Sequence, residues 1–439
     1  MVSKSWLVTR LDFTELDRIQ KIRVLRAILF FGTVGSYLFH TWWRLVRRHG
    51  FPRDTFFFTP VARYSDFFDI VRSAAKPSPY LDQTSVYFPF TFLEVFPFTL
   101  FDPLIALGVL FAIFFAFLIA FHTFWLRDAR ESALQYGISV GIFTIFSFPV
   151  LFALDRGNFE LLLLIHIGVW FMAQEWLFRR ADFRRLATVV SVIALGSAIA
   201  MKGYPGLLLL VNLAERRFKT MFATLALAGV LTFVGLATMG DGLALELARY
   251  QGNLLHFRHM YSVRHPGLGY GISLWGFVRV YFGKVLSLAP PGDTQLEKFS
   301  ALILPYSGFA TIVPIAFVST VVALVRKLPR WQLFGLPIFS FILFTEVSFV
   351  YKLMHLIFPI ALFLNAETKS PDDTRYVVLF GLLLIPKDYR YLIMHHNYPV
   401  SLATVIDPVL LLILITLVLS EVWKNARLVG PIKGEAAIP

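Results

Sequence analysis

The chain has 439 residues, 57% hydrophobic and 16% aromatic, with no cysteine and a formal net charge of +13. Only 16% of residues are charged, against roughly 25% in soluble domains, and the mean hydropathy is +0.67, which excludes an ordinary soluble domain. The lack of cysteine excludes disulfide staples and thiolate metal sites. No basic-aromatic nucleic-acid module is present, so the positive charge reads as topology and headgroup contact rather than nucleic-acid binding.

Residues 1–22 are polar ahead of the first apolar run, unlike a cleavable signal. Apolar runs follow at 23–43, 104–126, 136–152, 161–178, 186–201 and 221–239, with a short one running back to Glu215. Four more lie near 305–325, 333–350, 354–366 and 376–386, and a last covers 405–423. Such runs predict an all-α polytopic membrane protein with about twelve transmembrane helices. Two long loops, 44–100 and 240–304, interrupt the series.

With residues 1–22 in the cytoplasm, the short loops on that side carry Arg127, Arg130, Arg179, Arg180, Arg184, Arg185, Arg216, Arg217, Lys219, Arg326, Lys327, Arg330, Lys369 and Arg375. The opposite short loops carry only Arg156, Lys202, Lys352, Lys387 and Arg390. By the positive-inside rule this predicts a multi-pass protein of the cytoplasmic (plasma) membrane, both termini inside and both long loops outside. Ionisable residues within the spans are few, chiefly His166, Glu175 and Glu346. A carrier places such groups near the midplane; here the polar sequence gathers on the outer face, which favours chemistry or recognition there.

In the first long loop, Phe67, Ile70, Val71 and Ala74 fall on one helical face. They predict an amphipathic helix lying in the membrane interface. Asp66 and Asp69 share a different face; Asp66 either favours the helix start or is free for chemistry. The aromatic-proline stretches at Pro79-Tyr80 and 86–90 read as an aromatic belt or as the wall of a groove. Residues 154–160, L-D-R-G-N-F-E, bring Asp155, Arg156, Asn158 and Glu160 to one tip. Arg156 can fork onto a phosphate or pair with Asp155 inside the turn. Lys202-Gly203-Tyr204-Pro205 is a second tip, where Lys202 either snorkels or meets a phosphate.

The second long loop holds His256, Arg258, His259, Arg264 and His265. Their spacing matches no standard zinc site, so a phosphate- or sugar-binding cluster or a solvated face is expected. Gly267–Gly271 is not a P-loop, since no G-K-[ST] follows. Tyr351, Lys352 and His355 stand at the outer end of one span. Lys387, Asp388, Tyr389 and Arg390 stand at another, with His395 and His396 beyond. No G-x-S-x-G or H-E-x-x-H occurs.

An early acid in R-Y-S-D-F (63–67), then Y-x-P-F (87–90), D-R-G-N (155–158) and K-x-Y-P-x-L (202–207), resembles the GT-C membrane glycosyltransferases. The chain is most similar to glycosyltransferase family 87, the polyprenyl-phosphate-mannose-dependent mannosyltransferases. The motifs span roughly residues 60–215; the later half matches in general layout. The resemblance implies one GT-C transmembrane domain over 1–439, with about twelve helices and two long extracytoplasmic loops. It implies inverting, metal-independent transfer of a sugar, mannose by default, from a polyprenyl-phosphate co-substrate to a lipid or glycan acceptor, with no cofactor. Asp66 takes the place of the general base, with Asp69 as fallback.

The chemistry agrees: a sugar phosphate already carries a leaving group, so a base and cations suffice. Lys202, Arg156, Arg258 and Lys352 are the candidates for the donor phosphate. Asp155, Asn158, Glu160, Tyr204, His256, His259 and His355 are those for sugar or acceptor. An apolar groove near residues 87–98 would take the prenyl tail. The rival readings are a transferase for another group, such as a pentose, and a flippase or carrier for lipid-linked sugars, for which Glu175 and Glu346 would matter most.

Overall fold

A computed structural model describes residues 16–47, 63–81, 85–126, 132–144, 146–179, 183–269, 271–289, 293–325, 328–366, 370–387, 391–393 and 400–428. Asp388, Tyr389, Arg390, His395 and His396 lie outside the described residues, as do Arg127, Arg130, Arg180, Arg326, Lys327 and Lys369 of the short loops.

Seven described helices are long and apolar enough to cross a bilayer: Arg18–Phe39, Pro103–Trp125, Glu160–Leu177, Arg184–Met201, Phe218–Ala237, Thr294–Leu324 and Ala403–Lys424. The chain is a multi-pass α-helical membrane protein. Its described strands, Tyr391–Ile393 and Val400–Ser401, form one small antiparallel pair. Local chemistry sets several boundaries. Asp102 accepts from the Leu104 N–H at 2.9 Å, and Pro103 fills the first turn, where its missing N–H costs nothing.

The other expected spans are helical but differ in form. Residues 136–152 are divided between Ala133–Thr144 and Phe148–Arg156, whose axes bend by 71°. Pro149 suits the first turn of the second helix and cannot continue the first. Arg330–Leu343 has every residue from Trp331 to Leu343 buried, so it is a core helix rather than a lipid-facing one. It packs against Val350–Leu356 and Ile357–Leu364, which are likewise short. Tyr204–Ala214 is another short apolar helix.

The long loops carry structure of their own. Ser65–Ala74 is the helix expected from its periodicity, but Phe67, Ile70, Val71 and Ala74 are buried in protein rather than lying in lipid. Phe67 meets Phe98, centroids 5.8 Å apart. Asp66 makes no side-chain cap there; Tyr64, in the left-handed region at φ 56°, occupies the cap position. In the second loop, Leu243–Ser262 buries Glu246, Asn253 and Ser262 and exposes Leu245, Leu247, Leu254 and Leu255. That inversion turns its apolar side outward. The helix beginning at Asp293 starts inside the expected loop and continues into the Thr294–Leu324 span.

Candidate active site

The D-R-G-N turn organises the site. Gly157 ends Phe148–Arg156 in the left-handed conformation, φ 59°. The Asn158 N–H returns to the Ala153 carbonyl at 2.8 Å and the Gly157 N–H to that of Leu154 at 3.0 Å, a Schellman closure. A Cβ on Gly157 would lie 2.9 Å from the Phe67 Cβ and 3.4 Å from the Tyr64 Cα. Only glycine therefore lets the turn seat against the start of Ser65–Ala74. The Tyr64 N–H donates to the Asp155 carbonyl at 2.8 Å, and this docking brings Arg156 and Asn158 to Asp66.

Both oxygens of Asp66 accept from Arg156: Nη2 to Oδ1 at 2.5 Å and Nε to Oδ2 at 3.3 Å. Asn158 Nδ2 donates to Oδ2 at 2.7 Å. The Asn158 Oδ1 accepts the Glu160 N–H at 2.9 Å, capping the helix Glu160–Arg179. One amide therefore both caps a helix and orients a carboxylate.

Glu160, fully buried, is the hub behind this wall. Its Oε1 accepts from Lys202 Nζ at 3.0 Å and its Oε2 from the Tyr204 hydroxyl at 2.5 Å. His355 Nε2 stands 3.6 Å from Oε2. Lys202 follows the C-terminus of Arg184–Met201, where a cation meets the negative end of the helix dipole, and lies 5.1 Å from the Tyr87 ring centroid. Lys352 Nζ donates to Thr345 Oγ1 at 3.1 Å and the Val347 carbonyl at 3.3 Å, and lies 4.3 Å from the Tyr204 ring centroid. Its acceptors are neutral although the residue is buried. Burial pushes the Lys352 ammonium down to about 7, against an opposing pull from Glu160. Burial and the neighbouring carboxylates push the Tyr87 and Tyr351 phenols up, so both remain protonated donors at neutral pH.

These groups meet in a cavity of about 860 Å³. Asp66, Arg156, Asn158, Lys202, Tyr204 and Lys352 line it. Asp69 reaches its mouth, where it is exposed and paired with Arg72 at 3.4 Å. Glu160 and His355 support the lining from behind. Asp155 contributes its carbonyl to the turn and is not part of the lining. Arg258 is held by Glu346 at 2.9 Å and donates to Ser307. His256 and His259 are exposed on the same helix and do not line the cavity, and His265 pairs with Glu297 at 3.0 Å. Among the described residues no three His, Asp or Glu side chains gather as metal ligands would.

Of the expected groove, Tyr87 and Phe88 line the cavity, while Phe92, Val95 and Phe98 are buried in the core. The lining also holds Phe257, Tyr261 and Phe349, three rings outside the sequence candidates above, which run on to Tyr351. Phe257 and Tyr261 have centroids 4.3 Å apart, Tyr261 and Phe349 5.5 Å, and Phe349 and Tyr351 5.7 Å. The i, i+4 spacing of Phe257 and Tyr261 was the available signal.

The sequence model of glycosyltransferase family 87 matches residues 86–359, more than half of the chain. The chain belongs to glycosyltransferase family 87. It is a membrane glycosyltransferase, consistent with the GT-C superfamily. The match covers Arg156, Asn158, Glu160, Lys202, Tyr204, Lys352 and His355 and extends well beyond the early motifs, whereas Asp66 and its helix precede it. No curated protein and no solved structure matches the chain.

Proposed function

We propose that this family 87 enzyme transfers a sugar, mannose in the first instance, from a polyprenyl-phosphate donor to a hydroxyl of a lipid or glycan acceptor. Transfer inverts the anomeric centre, needs no metal, and occurs at the extracytoplasmic face of the plasma membrane. The observation that carries this reading is the pairing, in one cavity, of a carboxylate with a buried ammonium whose hydrogen-bond acceptors are all neutral. A buried charge is costly without a counter-charge, and an anionic phosphate supplies one.

Asp66 takes the proton of the acceptor hydroxyl as its oxygen attacks the anomeric carbon opposite the phosphate. The carbon–oxygen bond to phosphate breaks, and the electron pair leaves on the phosphate, where Lys352 and Lys202 stabilise it. Glu160 fixes Lys202 and Tyr204, and Asn158 keeps Asp66 oriented. The test is sugar transfer from radiolabelled polyprenyl-phosphate-mannose to a panel of lipid and glycan acceptors, with chelator present, by wild type and Asp66→Asn. Transfer by wild type that collapses in the variant is expected; equal transfer by both would remove Asp66 as the base.

A further inference from the structure

The carboxylate that receives the proton is already occupied. Arg156 and Asn158 together use both Asp66 oxygens, and the two donors are held differently. Asn158 is buried and fixed by the Glu160 N–H at 2.9 Å, so it cannot leave without uncapping a helix. Arg156 is the last residue of its helix, lines the cavity, and keeps 25% of its side chain exposed.

We propose that Arg156 is shared between Asp66 and the donor phosphate and passes from one to the other as transfer proceeds; this rests on the polyprenyl-phosphate reading above. A guanidinium fork fits carboxylate and phosphate alike. The donor phosphate is a diester with a single negative charge. When its bond to the anomeric carbon breaks, the electron pair stays on the phosphate, which becomes a monoester of roughly −1.5 to −2 charge. In the same step the acceptor oxygen bonds to the anomeric carbon, and its proton moves to Asp66, which becomes neutral. Negative charge therefore leaves one partner of Arg156 as it appears on the other. The guanidinium stabilises the transition state more than the ground state, and Asn158 keeps the carboxyl in place after it moves. Arg156 thus couples occupation of the phosphate site to release of the base.

The test is a double-mutant cycle on binding, with farnesyl phosphate as a short-chain polyprenyl monophosphate and melting temperature recorded for every variant. Asp66→Asn removes the competitor for Arg156 and should tighten binding by about tenfold. Arg156→Gln should weaken it by about tenfold. The combined variant should bind like Arg156→Gln alone, because the Asp66 effect runs through the guanidinium. Arg156→Lys, which keeps charge but loses the fork, should shrink the Asp66→Asn effect and serves if the glutamine variant does not fold. Equal tightening by Asp66→Asn in both backgrounds would reduce Asp66 to a field effect and overturn the sharing, as would no tightening at all. Failure of wild type itself to bind farnesyl phosphate would sink the donor reading, and the sharing with it.

Discussion

Helix Glu160–Arg179 carries a charged cluster at each end, about 22 Å apart at the helical rise of ~1.5 Å per residue. At one end Glu160 gathers Lys202, Tyr204 and His355 beneath the cavity. At the other, Glu175 is held by Arg330 at 2.5 Å and Glu215 by Arg217 at 3.2 Å. Arg330 also reaches Glu215, and Arg217 donates to Gln174 at 2.9 Å. The residue types are much the same, yet the consequences differ. At the far end each carboxylate is ion-paired with a guanidinium, and none of these residues lines the cavity. At the cavity end Asp66 is matched by Arg156 and Glu160 by Lys202, while Lys352 has only neutral acceptors. A matched buried cluster needs no further partner, whereas a buried cation with neutral acceptors leaves room for an anionic one.

The largest expected effect is at the proposed base. Asp66→Asn should lower the transfer rate by roughly 10²–10⁴-fold, the usual weight of a general base, while leaving donor bound. Retained rate would remove Asp66 from the cavity's chemistry. At the far end, Arg330→Ala leaves the buried Glu175 without its guanidinium and should cost about 3–5 kcal/mol of stability, read by thermal or denaturant unfolding. Donor KM should hold in whatever fraction stays folded. A large KM change with no loss of stability would erase the distinction between the two ends.

Gly157→Ala combines a positive φ with a 2.9 Å approach to Phe67 and should cost about 1–3 kcal/mol. Unlike Arg330→Ala it should also lower transfer, because the displaced turn carries Arg156 and Asn158. The smallest effect is with pH. Burial lowers Lys352 to about 7, so it is charged below that pH and neutral above it. Affinity for a phosphodiester donor, whose own charge is constant, should fall between about pH 6 and 8. A flat profile would show that Lys352 does not meet the phosphate.

Local chemistry was legible in the sequence. The D-R-G-N and K-G-Y-P tips, Asp66 on its helix, and the apolar runs are all patterns within a few residues. What lay outside it were partnerships across long separations. Arg258 reads as a loop cation until Glu346, 88 residues away, claims it. Asn158 reads as a ligand for hydroxyls until Asp66, 92 residues earlier, takes its amide. Arg330–Leu343 is as apolar as a span, and only its burial on every side marks it as core. Periodicity states which face is apolar, not whether lipid or protein covers it, and on Ser65–Ala74 the cover is protein.

On the proposed reading, the excess cation in the cavity is there for an anionic donor. Lys352→Met tests it most directly, through the Kd for polyprenyl-phosphate-mannose measured beside the melting temperature. Binding weakened by about tenfold or more, with stability equal to or above wild type because a buried charge has been removed, is the predicted result. Unchanged affinity in a well-folded variant would contradict the claim and make Lys352 a structural residue like those at the far end.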